Sequence, residues 1–407
     1  MNNLIFITLN NLSNDGGGTI RIKSLFRYSV RKRNSILVSN QNKIKNINNE
    51  LFLDVEFNSN EKRLFQLLIT FFPVYLVKLF FLKKLNKIEC FFNKKLVPLN
   101  GDYVFCEYLD NSIGYYLKRR GIINNYINDL HGIATNEFIN KQSGFRYWNR
   151  IKYYVAKKHD GKVLSMASAH IFASESMKLF FYNNYPKFRH KKYFYIPYLL
   201  DSSFFDVGID KAYQLNICNQ HNLDKFSHII FYAGAYKEIG GVVDLIETFN
   251  IVLRSYPESG LVLVGGGRCQ DLVDKKIRSL GLSDRVIQLG YQPYNKLFTL
   301  QQIANVIVCP DRNNLYSNLI VHLKYFDSVA SEKPVVCGSF DAVNEINPND
   351  DLSLSYEPSN LLSMSLAIKK ALDNNNELMK LSKGKRKLVL HRFTYNSYEE
   401  TICSIET

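Results

Sequence analysis

The sequence predicts an α/β protein of two halves, each a parallel sheet wound on both faces by helices. Three observations predict it. Short β-rich apolar runs recur along the whole chain, amphipathic runs with helical spacing separate them, and glycine clusters follow several of the runs. Strands that alternate with helices need right-handed crossovers, and such crossovers build parallel sheets buried on both sides.

The second half is the more regular. Residues 228–234 (HIIFYAG) read as a strand ending in glycine, and 240–257 follow with Val242, Leu245, Ile246, Phe249, Val252 and Leu253 on one helical face. Residues 260–267 (GLVLVGGG) are a strand and a glycine loop, and CQDLVDKKIRSLGL a helix. RVIQLGY is a strand, YNKLFTLQQIA a short helix and NVIVCP a strand. HLKYFDSVASEKPVV then gives a helix, with Lys324 and Asp327 three apart on one face, and a strand from Lys333-Pro334 onward.

The first half repeats the plan less cleanly. LIFITL, SILVSN, GDYVFCEYL, NNYINDLHG, AHIFASES and YFYIP read as strands, and GTIRIKSLFRYSVRK as a helix. The junction is expected near residues 200–205, giving domains 1–203 and 204–384. The tail 385–407 reads as helical and is expected to cross back to the first domain. Residues 64–82 are almost wholly apolar but contain Pro73 and Lys78, and Lys62-Arg63 and Lys83-Lys84 bracket them. Three readings stay open: a core helix, a helix lying in a membrane surface, and a membrane span.

Composition bounds the function. At 407 residues, 46% apolar and 22% charged, the chain is globular and long enough for two cores. Its seven cysteines show no C-x-x-C pair, which argues against a zinc site or disulfide framework and for reduced thiols in a cytosolic setting. Met1–Ser13 lacks the pattern of a signal peptide. Residues 1–200 hold 31 Lys/Arg against 13 Asp/Glu, a net +18, and residues 201–407 hold 21 against 24, a net −3. A basic half beside a near-neutral half suggests that the first half meets something anionic, with a merely soluble basic surface as the plainer account.

Ligands of open parallel sheets bind beyond the carboxyl ends of the strands. Gly16, Gly17 and Gly18 lie there, ahead of a helix N-terminus that favours anions, and so do Gly266, Gly267 and Arg268. Neither cluster is a G-x-G-x-x-G or P-loop motif, and each on its own is compatible with a tight turn. His131 follows a strand and could be a structural hydrogen-bonder or a functional group. Lys237 sits on another strand-to-helix loop, where an ammonium is either solvated or able to neutralise a departing phosphate.

Taken in order, IIFYAGAYKEIGGVVDLIETF, LVLVGGG, LSDRVIQLGY, NVIVCP and HLKYFDSVASEKPVVCG resemble the C-terminal domain of the family 4 retaining glycosyltransferases, with the GT-B fold of two Rossmann-like domains. GGGTIRIKSL, NNYINDLHGIATNEF, IFASESMKLFF, FYIPYLLDSSFF and RFTYNSYEETICSI resemble N-terminal and crossing segments of the same family, so the likeness covers nearly the whole chain. The resemblance implies a nucleoside-diphosphate sugar as donor, bound in an interdomain cleft. The amides of Leu323 and Lys324 would cap its phosphates, Asp327 would hold its ribose, and His131 would position its sugar. Lys237, Arg268 and Lys324 would stabilise the leaving diphosphate. It also implies a glycan or lipid-linked acceptor, as in cell-surface polysaccharide assembly.

Some positions depart from the family. Its glutamate is Asp327 here, the acid eight residues earlier is Leu319, and Ala235 and Gly240-Gly241 stand where many members carry an arginine and a lysine. The expectation is therefore a cytoplasmic glycosyltransferase, peripheral on an anionic inner membrane face, using no metal or cofactor and no nucleic acid. A catalytically inactive nucleotide- or lipid-binding subunit, favoured by Leu319, and a nucleotide-sugar epimerase are the alternatives.

Overall fold

The computed structural model describes residues 2–13, 17–40, 49–132, 146–201 and 208–407. It has two compact units, Met1–Pro197 with Tyr395–Thr407, and Tyr198–Thr394. The first contains seven strands: β1 Asn3–Ile7, β2 Ser35–Ser39, β3 Glu50–Phe52, β4 Gly101–Phe105, β5 Ile127–Leu130, β6 Ala169–Phe172 and β7 Lys192–Tyr195. They pair in parallel in the order β3-β2-β1-β4-β5-β6-β7. The second contains β8 His228–Ala233, β9 Ser259–Val264, β10 Val286–Gly290, β11 Val306–Cys309, β12 Val335–Gly338 and β13 Leu354–Tyr356. Their order is β10-β9-β8-β11-β12-β13, again all parallel. This is the doubly wound α/β architecture that the sequence predicts.

The alternation of side chains across a strand explains both cores. In the second unit, Ile230, Leu261 and Leu263 face the helices Val242–Val252 and Leu361–Asp373, while Phe231, Val262 and Ile307 line the opposite face. Such strands have no solvent face, so they read as continuous apolar runs.

Some details differ from the sequence reading: AHIFASES is strand only to Phe172, and the units divide at Pro197/Tyr198 and not at 203/204. GDYVFCEYL is strand only to Phe105, and a helix starts at Tyr108. β3 and β13 are additional strands, each of three residues at a sheet edge. The tail divides: helix Lys385–Arg392 belongs to the second unit, where Phe393 packs on Phe326 with ring centroids 4.8 Å apart. Only Tyr395–Thr407 joins the first unit, through Tyr395 stacked on Tyr28 and through Arg33, which donates to the carbonyls of Cys403 and Ile405.

The apolar stretch 64–82 is not one helix. Pro73 lacks an N–H and restricts the residue before it, and the chain breaks into helices Ser59–Phe71, Val74–Phe80 and Leu82–Phe91. Lys78 turns inward to Glu89 at 2.6 Å. Phe65, Leu68, Ile69, Val77 and Phe81 are buried, whereas Phe71, Phe72, Tyr75, Leu79, Phe80 and Leu82 are exposed, Leu79 and Phe80 each to 66%. Among the described residues no helix is long and apolar enough to cross a membrane.

Candidate active site

Each sheet has a switch point, between β1 and β4 and between β8 and β11, where neighbouring connections run to opposite faces and leave a crevice. Gly17, Gly18 and His131 lie beyond strand ends of the first sheet and Lys237, Gly266, Gly267 and Arg268 beyond strand ends of the second, whereas Leu323, Lys324 and Asp327 lie on the helix Leu323–Ala330. Gly16 lies outside the described residues.

In the first unit, Gly17 and Gly18 open the helix Gly17–Ser29 directly after β1. Glu107 follows β4, and His131 follows β5. A β-carbon on Gly18 would lie 2.9 Å from Glu107 Oε1 and 3.6 Å from His131 Nε2, so glycine is what lets the three approach. His131 Nε2 is 3.6 Å from Glu107 Oε1, and Nδ1 is 3.3 Å from Asp129 Oδ2. Asp129 is itself held by Arg21, which donates to it from Nε and Nη2 at 2.8 Å each. The remaining Arg21 donors reach the carbonyls of Pro197 and Ile196.

The electrostatics follow from this chain of contacts. Burial alone would push the Asp129 carboxyl up, but the Arg21 guanidinium overrides it and holds it well below the usual range. Burial would likewise push His131 down, yet the carboxylates of Glu107 and Asp129 raise it to about 9. His131 is therefore an imidazolium at neutral pH. The cationic form is favoured there, which suits charge stabilisation more than general-base work.

In the second unit, the loops after β8 and β9 are zipped together by their backbones. The amide of Tyr236 donates to Gly266 O at 2.9 Å, and that of Cys269 donates to Tyr236 O at 3.0 Å. Gly265 has φ 124°, and a β-carbon there would sit 2.1 Å from Gly234 O. Gly267 has φ 154° and would meet Tyr236 O at 2.7 Å. Gly267 thus serves the joint between the loops, whereas a β-carbon on Gly266 would meet only Gln270 Oε1, at 3.7 Å. Lys237 and Arg268 are exposed on these loops, with no side-chain partner among the described residues.

Lys324 stands differently. Its ammonium donates to Asp311 Oδ1 at 2.8 Å and lies 5.4 Å from the centroid of the Tyr232 ring. Burial would lower its pKa, but Asp311 raises it, so the ammonium is kept charged beside its partner. Helix Leu323–Ala330 begins at His322, which gives no side-chain cap, so its first-turn amides are left without one. His322 Nε2 is buried with no hydrogen-bond partner among the described residues, and burial pushes the ring's pKa down.

Asp327 is buried on the same helix and accepts a hydrogen bond from Tyr294 at 2.5 Å. Burial raises its carboxyl to about 7, against that hydrogen bond. Leu319 is buried too.

Sequence reasoning missed Glu107, Arg21, Asp311, His322 and Tyr294. Glu107 and Asp311 each lie two residues beyond a strand end, a position that the switch-point rule marks.

Residues 214–388 match the family model Glycosyl transferases group 1. The chain is 22% identical over 179 residues to alpha-D-kanosaminyltransferase of Streptomyces kanamyceticus, covering 44% of this chain and 45% of that protein. The chain matches about half the length of its curated relatives. Its structure is similar to sucrose-phosphate synthase of Thermosynechococcus elongatus, with a TM-score of 0.73 at 15% identity, covering 99% of this chain and 97% of that one. It is also similar to Anabaena HepE in complex with UDP, with a TM-score of 0.69 at 12% identity, covering 99% and 98%. The family match falls within the second unit, and the fold of the chain, two parallel-sheet Rossmann-like domains, is the one seen in these glycosyltransferase structures.

Proposed function

We propose that this chain is a retaining glycosyltransferase, moving a sugar from a nucleoside-diphosphate sugar to an acceptor hydroxyl on a lipid-linked or cell-surface polysaccharide intermediate. The observation that carries the reading is His131, held as a cation by Asp129 and Glu107 at the first switch point, beside the helix N-terminus at Gly17-Gly18. The helix N-terminus favours an anion or a developing negative charge there, and His131 offers a positioned imidazolium whose charge Glu107 balances. The nucleotide is assigned to the second unit, where Asp327 would accept from the ribose. Lys237, Arg268 and the first-turn amides at Leu323 and Lys324 would meet the diphosphate. UDP is the first nucleotide to try, since similar folds hold it.

In the proposed reaction the bond from the anomeric carbon to the diphosphate oxygen breaks as the acceptor oxygen bonds to the same face of that carbon. The acceptor proton goes to the departing phosphate oxygen. No enzyme nucleophile takes part, and His131 positions the sugar and stabilises charge without moving a proton. The reading is tested by UDP release from a panel of UDP-sugars, with and without lipid-linked glycan acceptors. Acceptor-dependent release with retained anomeric configuration is expected, and no release from any nucleotide sugar overturns it.

The membrane surface is part of the same proposal. The exposed apolar face of residues 71–82 supports it, as do the cations around that face. Arg63 and Lys83 are exposed and have no acidic partner among the described residues. Lys158, on helix Arg146–Met166, lies 4.8 Å from the Phe71 ring centroid. Apolar side chains rimmed by lysine and arginine suit an anionic lipid interface.

A further inference from the structure

Cys309 and Cys337 are register partners at the carboxyl ends of the adjacent parallel strands β11 and β12. The other five cysteines all lie outside strands. Neighbouring strands run about 4.8 Å apart, inside the roughly 4.4–6.8 Å between α-carbons that a disulfide spans. Side chains alternate across a strand, so partners in register leave the sheet on the same face. Here that face meets helix Leu323–Ala330. Cys309 Sγ lies 3.8 Å from Ser328 Oγ and 4.0 Å from the carbonyl oxygen of Lys324. Both thiols are free and buried, at 2% and 3% exposure. They also interact with each other, and unequally. The Cys337 thiol, helped by the Lys324 charge, lowers the pKa of Cys309 against its burial, while Cys309 and burial together push Cys337 well up. Cys309 is therefore the nucleophile of the pair, and Cys337 the partner that keeps its proton.

We propose that Cys309 and Cys337 are an oxidation site, closed to a disulfide by a small hydroperoxide and reopened by a dithiol, and that closing it loosens helix Leu323–Ala330. The Cys309 thiolate attacks the terminal oxygen of the hydroperoxide. The O–O bond breaks, an alcohol (water, from hydrogen peroxide) departs with the Cys309 proton, and Cys309 becomes a sulfenic acid. The Cys337 sulfur then bonds to that of Cys309, the S–O bond breaks, and the hydroxide takes the Cys337 proton and leaves as water. Two thiols lose two electrons, and one hydroperoxide gains them. A dithiol reverses the step by thiol–disulfide exchange. Bonding draws Cys309 Sγ toward Cys337, away from Ser328 and the Lys324 carbonyl. The helix above has eight residues and no side-chain cap at its start, so it has little else of its own to hold its first turn. Burial makes the reaction slow, since a reagent reaches the pair only when the helix lifts. The consequence for the donor rests on the glycosyltransferase reading above, which places the diphosphate and ribose on this helix. A nucleotide held there would shield the thiols, because coupling between two sites is reciprocal.

The test uses the full chain, with hydrogen peroxide as oxidant and dithiothreitol as reductant. Peptide mapping after peroxide is expected to show an intramolecular disulfide joining Cys309 to Cys337, gone again after dithiothreitol. Amide hydrogen exchange across residues 323–330 should speed up about tenfold on oxidation and return on reduction. Cys309→Ala should make that exchange insensitive to peroxide, and Cys337→Ala should leave a Cys309 sulfenic acid that dimedone traps. Exposed Cys90 reports that the oxidant has acted. A wild-type protein with Cys90 oxidised while Cys309 and Cys337 remain thiols overturns the proposal. So does a bridge that leaves exchange of the helix unchanged. Both readings come from the wild type, so neither depends on a variant folding. UDP binding is measured by calorimetry on the same samples. Affinity that falls about tenfold on oxidation supports the link to the donor, and equal affinity of the two forms overturns that link. UDP that binds neither form counts against the nucleotide-sugar reading, while the mapped bridge and the helix exchange still decide this proposal.

Discussion

Arg21 and Asp129 lie 108 residues apart and meet through two parallel hydrogen bonds of 2.8 Å, with neither side chain exposed to solvent. The pair forms the floor beneath His131. A buried ion pair is costly to break from one side, because the partner is left charged and dry.

Arg21→Met should therefore destabilise the protein by about 3–5 kcal/mol. Combining Arg21→Met with Asp129→Leu should recover part of that loss, because neither half of the ion pair is left charged alone, while His131 keeps Glu107. Urea unfolding of the two single variants and the double variant checks this through the coupling term. Additive losses would show that the pair does not act as a unit.

His131 should set an upper pH limit. Its folded pKa, about 9, lies above its ordinary value of 6.5, so its stabilising contribution is complete below about 6.5 and is lost as pH rises through about 9. Transferase activity should decline over the same upper limb. Gly18→Ala should displace the Glu107 carboxylate, remove one of the two carboxylates that raise the imidazole, and move that limb to lower pH. NMR titration of the His131 ring reads the shift directly, and an unchanged midpoint would remove Glu107 from the account.

Asp327 is expected to trade stability for function. Its carboxyl titrates near 7 in the folded chain against 3.8 ordinarily, so the folded state binds the extra proton between those values. Stability should fall as pH rises from about 4 to about 7. Asp327→Asn keeps an acceptor for Tyr294 and should abolish that slope, raising Tm at pH 8. Donor binding should weaken by about 1.5–3 kcal/mol in Asp327→Ala, the scale of a hydrogen bond to a charged group. Thermal melts across pH and calorimetry with UDP-sugar measure the two sides. Unchanged donor affinity would take Asp327 out of the binding role.

Vesicle co-sedimentation tests the apolar face. Binding to anionic vesicles and not to neutral ones is expected at low salt, with erosion as ionic strength rises. Arg63→Glu with Lys83→Glu should reduce the charge-dependent part. Phe71→Ser with Phe80→Ser should reduce what persists at moderate salt. No binding to anionic vesicles at low salt would favour a soluble acceptor.

Much of the fold was legible because parallel strands are apolar on both faces and their helices keep a 3.6-residue period. β8, β9 and β11 stand out for this reason. β3 and β13 did not, since three residues at a sheet edge, none or one of them buried, leave too short a pattern. The site was legible as positions more than as states. His131 could be placed at a strand end, but its charge depends on Glu107 and Asp129, and Asp129 depends on Arg21 from a distant helix. Lys324 looked free in the sequence and is bound to Asp311, a pairing set by the meeting of a loop and a helix. The apolar stretch 64–82 gave no single answer because Pro73 and Lys78 split it into pieces that are each part core and part surface.

The backbone joint between the loops after β8 and β9 makes them one mechanical piece. Lys237 and Arg268 ride on that piece, so an insertion or a bulky residue at Gly265 or Gly267 would displace both cations together. Attempts to redirect donor choice by mutagenesis should accordingly treat residues 234–237 and 265–269 as one exchangeable cassette, transplanted whole from a donor-selective homologue, and not as two loops to be randomised separately.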